Sequence, residues 1–154
     1  MLLEFLRSWS SRAEIVPVLR QSGALPYSFV NDRVVFLLVT SRKTGRWIFP
    51  KGSISTGMTA WDSAAKEALE EAGVFGEISA NAIGTYGNTD KGMRTEIDLY
   101  PLRVDAQLPV WKEMDQRLRH WALLAETKRL LADRSMAGIV EALHRQLTVR
   151  RLMQ

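Results

Sequence analysis

The chain has 154 residues, 46% of them hydrophobic, no cysteine and a formal net charge of +4. That length suits one domain with a substantial core spanning residues 1–154, and is too short for two. The absence of cysteine excludes disulfides, thiolate metal sites and cysteine nucleophiles, and the positive charge suits an anionic partner, either a substrate phosphate or a nucleic acid.

Leu2, Leu3, Phe5, Leu6 and Trp9 recur at roughly helical spacing, which predicts a short amphipathic helix docking on the body or on a second subunit. Glu4 and Arg7 interrupt that run, leaving no signal-peptide core, and no later run approaches about 18 apolar residues. The expectation is a soluble cytoplasmic protein, monomer or homodimer, with no membrane partner. Residues 13–19 read as an edge strand, because Pro17 cannot donate to a central ladder. Residues 25–30 and 33–41 follow as strands, with Asn31-Asp32 as a tight hairpin turn between them. Residues 34–39 are continuously apolar and suit a central strand covered on both faces. Thr44-Gly45 then turns the chain into a strand at 46–49.

The next stretch, GSISTGMTAWDSAAKEALEEAGV, is a glycine loop leading into an acidic helix. Thr59 suits an N-cap with Asp62 three residues on, and Gly73 suits the left-handed residue that ends a helix, so the helix is predicted over 60–72. At about 100° per residue, Trp61, Ala65, Ala68 and Ala72 share one face, while Glu67, Glu70 and Glu71 fall within an arc of about 100° on the other. Clustered carboxylates repel one another on a bare helix, and a divalent cation reverses that penalty. Hard oxygen ligands suit magnesium, with manganese as a second choice.

Residues 78–85 and 94–104 read as two more strands, joined through the polar turn Gly87-Asn88-Thr89-Asp90-Lys91-Gly92. Residues 108–113 are irregular around Pro109, residues 117–123 form a last short strand around Trp121, and helices are predicted over 124–132 and 136–147. Ser135 is the expected N-cap of the second, and residues 150–154 are expected to fray.

Gly52, five residues, Met58, seven residues, then Lys66-Glu67-Ala68-Leu69-Glu70-Glu71-Ala72-Gly73-Val74 resembles the Nudix hydrolase signature: Gly, five residues, Glu, seven residues, Arg-Glu-apolar-any-Glu-Glu-any-Gly-apolar. Seven of the nine specified positions match, the departures being Met58 for glutamate and Lys66 for arginine. Lys66 keeps the charge of the arginine without its bidentate fork. The chain looks most like the diphosphoinositol polyphosphate and diadenosine polyphosphate hydrolase branch. The resemblance implies an α/β fold, a Nudix-type α/β/α sandwich with a mixed β-sheet, and magnesium-dependent hydrolysis of a phosphoanhydride.

By the same resemblance, Glu67, Glu70 and Glu71 are the metal ligands, helped by the backbone carbonyl of Gly52, and one of them or a carboxylate from another loop activates water. Glu113 ranks first for that task and Glu96 second. Arg42, Arg46, Lys51 and Arg94 sit near predicted strand ends or loops, where a polyphosphate collects charge-assisted contacts. Trp47 and Tyr86 are candidates for stacking on a base, although large aromatics on strands more often belong to the core. The leading substrate is a dinucleoside polyphosphate, followed by a diphosphoinositol polyphosphate and the 5′-triphosphate end of RNA. Two rivals remain: a Nudix-like regulatory domain that has lost catalysis, motivated by Met58 and Lys66, and a nucleic-acid-binding module, motivated by charge. Retention of all three glutamates argues against the first, and the scatter of cations without an RNA-binding motif argues against the second.

Overall fold

In the computed structural model, residues 17–154 are described. The expected N-terminal helix and residues 13–16 of the first expected strand therefore lie outside the described residues. Eight strands form one sheet: β1 (Val18–Val30), β2 (Arg33–Thr40), β3 (Trp47–Ile48), β4 (Lys51–Ser53), β5 (Val74–Ile78), β6 (Gly84–Asp90), β7 (Met93–Gln107) and β8 (Arg119–Leu123). The main path runs β3-β2-β1-β7-β5, with β4 on β1, β6 on β7 and β8 on β2. β1 and β7 are parallel from Val18–Arg94 to Tyr27–Arg103, while β1 and β2 are antiparallel, so the sheet is mixed.

Side-chain alternation along the strands builds a core on each face of this sheet. Leu25, Phe36, Leu38, Ile97 and Leu99 face two helices, α2 (Leu124–Leu130) and α3 (Arg134–Leu152), and pack on Leu131, Met136, Val140 and Leu143. Ala24, Leu37, Val39, Tyr100 and Leu102 point the other way, onto Ala64, Ala68 and Ala72 of helix α1 (Ala60–Ala72). The result is the α/β/α sandwich the sequence implied. Phe36, Leu37, Leu38 and Val39 are all fully buried, as a strand covered on both faces requires. Among the described residues no helix is long and apolar enough to cross a membrane.

Three local expectations fail. The first concerns β1, a single strand where two were expected with a gap around Gln21-Ser22-Gly23. Those residues pair with β4 on one side and β7 on the other, so their backbone groups are satisfied despite their polar sequence. Gly23 is needed for that closeness, since a Cβ there would lie 2.8 Å from the Pro50 carbonyl oxygen.

Second, no strand runs continuously over 78–85. β5 ends at Ile78, and β6 begins at Gly84 and continues through the stretch expected to be a turn. Among the described residues β6 pairs only with β7, and polar residues are tolerated on such an exposed margin. Its hairpin turn is just Lys91-Gly92, both at positive φ (50° and 77°), the conformation that suits two-residue hairpins. Third, Asp133 rather than Ser135 caps α3, accepting from the Ser135 N–H at 2.8 Å. That helix runs on to Leu152, because Arg151 pairs with Asp32 and lies over the Phe29 ring, 4.7 Å from its centroid.

Candidate active site

Helix α1 occupies the expected residues and is stopped by the expected caps. The Thr59 hydroxyl accepts from the Asp62 N–H at 3.1 Å, and Gly73 takes the left-handed conformation with φ 67°. The packed face is rotated from the one expected, however: Ala64 is in the core, while Ala65 is only partly buried. Ala64 lies about 20° from Glu71 around the helix, so burying it draws Glu71 inward as well. Glu71 is 4% exposed.

A buried carboxylate needs partners, and Glu71 has two. The Lys51 N–H donates to Glu71 Oε2 at 3.3 Å, and Arg117 Nη2 lies 3.1 Å from Glu71 Oε1. Burial raises the Glu71 carboxyl from 4.5 to about 7, with Arg117 opposing the rise and Glu67 adding to it. Arg117 is itself buried and also holds Glu113, through Nε at 3.1 Å, while Arg42 Nε lies 3.7 Å from the same Glu113 oxygen. One guanidinium thus ties the acidic helix to the loop carboxylate.

Glu67 lies against the glycine loop: a Cβ on Gly52 would be 2.5 Å from both its carboxyl carbon and Oε1. Burial, and then Glu70, push the Glu67 carboxyl above its ordinary value. Glu70 is more open, with Lys112 Nζ at 3.5 Å and Lys66 Nζ at 4.0 Å. Lys66 also donates to the Ser55 hydroxyl at 3.3 Å, tying the helix to the loop before it.

The expected cations divide into two groups. Lys51 is half-buried beside Glu71, donates to Gln21 Oε1 at 3.4 Å, and has its pKa lowered chiefly by burial. Arg42 stands beside Glu113. Arg46 is exposed, with its backbone closing the turn at Ser41–Thr44. Arg94 is on β7, where it pairs with Glu96 at 3.1 Å, and Arg20 joins that group through Glu96 and Asp98. Tyr86 is 6% exposed and belongs to the core; Trp47 packs at the core's margin, its ring centroid 5.7 Å from that of His120.

The sequence reading missed Arg117, Trp111, Lys112 and Arg119. The Glu113–Arg117 spacing of four is the one local signal that pointed to any of them.

Among the described residues, no group of three His, Asp or Glu side chains is gathered tightly enough to hold an ion as arranged. The donor chemistry nevertheless fits a hard cation: three carboxylates on one helix, one of them resting against a glycine backbone that leaves it just enough room. Gly52, Glu67, Glu70 and Glu71 are therefore the residues that would hold it. Glu67 has no cation within 4.0 Å among the described residues, and the lysines on Glu70 are exposed.

The NUDIX domain family model matches residues 19–143. The Arabidopsis thaliana protein "Nudix hydrolase 17, mitochondrial" is 28% identical over 154 residues, covering 94% of this chain and 81% of that protein. Diphosphoinositol polyphosphate phosphohydrolase 2 of Rattus norvegicus is 28% identical over 114 residues, covering 73% of this chain and 62% of that protein. Among solved structures, the C. elegans Ap4A hydrolase shares the fold with a TM-score of 0.68 at 20% identity, covering 84% of this chain and 98% of that one.

Proposed function

The chain belongs to the Nudix family, and from that premise we propose that the phosphoanhydride it hydrolyses is a dinucleoside polyphosphate. As a Nudix hydrolase it must neutralise phosphate oxygens, deprotonate a water and stabilise a leaving phosphate. The observation that carries the reading is the acidic helix itself, with Glu67, Glu70 and Glu71 on one side, Lys51 and Arg117 beside Glu71, and Arg42 beside Glu113.

Gly52, Glu67, Glu70 and Glu71 would bind magnesium, which when bound supplies charge neutralisation at the bridging phosphates. Water attacks phosphorus, the bridging P–O bond breaks, and the proton released passes to a carboxylate. Glu113 is the first candidate from the sequence for that last task, yet Arg117 and Arg42 both lie against its Oε1, at 3.1 Å and 3.7 Å. Glu67 has no cation within 4.0 Å among the described residues and lies against the Gly52 backbone, which supports Glu67 as the group that takes the proton and Glu113 as the group that holds Arg117 in place. Lys51 beside Glu71 and Arg42 beside Glu113 support a grip on further phosphates of a chain. Arg94, engaged with Glu96, supports that role less.

The likeness to the rat diphosphoinositol phosphohydrolase supports a second reading, a diphosphoinositol polyphosphate. The test is a panel of diadenosine polyphosphates, diphosphoinositols, nucleoside triphosphates and triphosphorylated RNA, assayed with magnesium and with products resolved. Diadenosine polyphosphates should give the highest kcat/KM. Preference for a diphosphoinositol or an RNA end by tenfold or more would overturn the choice of substrate.

A further inference from the structure

The last four carbonyls of an α-helix have no partner inside the helix and must find one elsewhere. In α1 the C-terminal cap takes the first of them, the Leu69 carbonyl, through the Gly73 N–H at 3.1 Å. The remaining three, and the carbonyl of Gly73 itself, all go to one distant segment, residues 108–119. The Glu70 carbonyl accepts from the Glu113 N–H at 3.1 Å, and the Gly73 carbonyl from the Leu108 N–H at 2.8 Å. The Glu71 carbonyl accepts from Trp111 Nε1 at 3.0 Å, and the Ala72 carbonyl from Arg119 Nη1 at 3.0 Å.

Two side chains make this bracket compact. The Arg119 guanidinium lies over the Trp111 ring, 3.8 Å from its centroid. Both reach the helix end only because residue 73 has no side chain: a Cβ there would lie 2.7 Å from Trp111 Cβ and 2.9 Å from Arg119 Nη1. Gly73 therefore serves twice, once for its left-handed φ and once for this approach.

An exposed helix end can be satisfied by water, so a bracket that fastens consecutive peptides of the acidic helix fixes position as well as stability. It fastens the backbones of Glu70 and Glu71, and the segment making it also carries Glu113, whose side chain reaches Glu71 through Arg117. We propose that Trp111 and Arg119 are positioning residues for the reaction, holding the Glu70 and Glu71 carboxylates in fixed relation to Glu113. The proposal rests on the hydrolase reading above.

The test measures Mn2+ binding to the metal-free protein by the electron paramagnetic resonance signal of free Mn2+, alongside kcat and KM on a diadenosine polyphosphate. Three variants are compared with wild type, and Glu71→Gln defines the binding that belongs to this site. Trp111→Phe keeps the ring over Gly73 and Arg119 but deletes the indole donor. Arg119→Met keeps the stem and deletes the guanidinium, while Arg119→Lys keeps a cation that can reach the Ala72 carbonyl.

Trp111→Phe and Arg119→Met should each weaken Mn2+ binding and lower kcat about tenfold with KM little changed, the usual size for groups that orient metal ligands. Arg119→Lys should recover most of the loss. Thermal melts accompany every variant: a lowered melting temperature with unchanged Mn2+ affinity and kcat means the bracket is structural only, and overturns the proposal. So do variants indistinguishable from wild type. A wild-type protein that neither binds Mn2+ through Glu71 nor turns over any member of the panel overturns the hydrolase reading instead, and the bracket's role with it.

Discussion

Replacing Gly52 by alanine separates the position of one carboxylate from the stability of the fold. Gly52 is not among the glycines at positive φ, so its backbone conformation is open to alanine. The new methyl would begin 2.5 Å from the Glu67 carboxyl carbon, whereas ordinary carbon contacts lie near about 3.5 Å. The obstacle is the far end of a flexible side chain, so Glu67 yields by about 1 Å and the backbone stays in place.

The stability change should therefore be small. The entropic benefit of Gly→Ala, roughly 0.4–1 kcal/mol, offsets part of a rotamer cost of similar size. Activity is another matter, because a 1 Å misplacement of a reacting group costs about a hundredfold in rate. A magnesium-dependent assay on a diadenosine polyphosphate, paired with a thermal melt, reads both quantities. A Gly52→Ala protein with wild-type kcat would refute the placement of Glu67 in the reaction. One that melts far below wild type would refute the argument that the carboxylate is what yields.

The remaining predictions concern the buried charges and the departure from the family motif. Arg117→Met leaves Glu71 buried without its cation and should cost about 3 kcal/mol at pH 8, where breaking a buried pair is expensive. The double variant Arg117→Met/Glu71→Gln should regain most of that in a urea titration, and equal losses for single and double variants would show that the pair is not what matters. Because the folded Glu71 carboxyl sits near 7 against 4.5 for a free one, the folded state binds that proton more tightly than the unfolded chain. Its contribution to stability is complete below about pH 4.5 and is lost as pH rises toward 7. The metal-free protein should therefore lose stability across that window more steeply than Glu71→Gln does, and parallel profiles in chelator would contradict the shift. Met58 is 37% exposed and its backbone N–H donates to the Ser55 carbonyl, so Met58→Glu should fold and keep its activity. Loss of turnover without unfolding would make Met58 part of the substrate pocket.

What the sequence disclosed follows the range of the interactions involved. Helix α1 could be read with both ends correct because its caps and periodicity lie within a few residues of each other. The double-sided β2 could be read for the same reason, from one continuous apolar run. The middle of β1 could not, because its polar residues became strand only through β4 and β7, which are distant in sequence; β6 could not, because its polar, glycine-containing run Gly87-Asn88-Thr89-Asp90 carries turn composition and becomes strand only by pairing with β7. At the site, the spacing put the three glutamates on one side of the helix, but the burial of Glu71 depends on which alanine the sheet accepts. Arg117 left only its spacing of four from Glu113 as a local signal, since its other partners, Glu71 and the Thr40 carbonyl, come from other parts of the fold.

The central claim is that the acidic face of α1 carries a metal-dependent hydrolysis, and one comparison tests it most directly: magnesium-dependent turnover of a diadenosine polyphosphate by wild type and by Glu70→Gln, with folding of both confirmed by circular dichroism. A neutral amide of the same shape is a far weaker magnesium ligand, so the variant should fold normally and lose about a hundredfold or more in kcat, with part of the loss restored by raised magnesium. A folded Glu70→Gln protein with near-normal turnover, or wild-type turnover unaffected by chelator, would contradict the account.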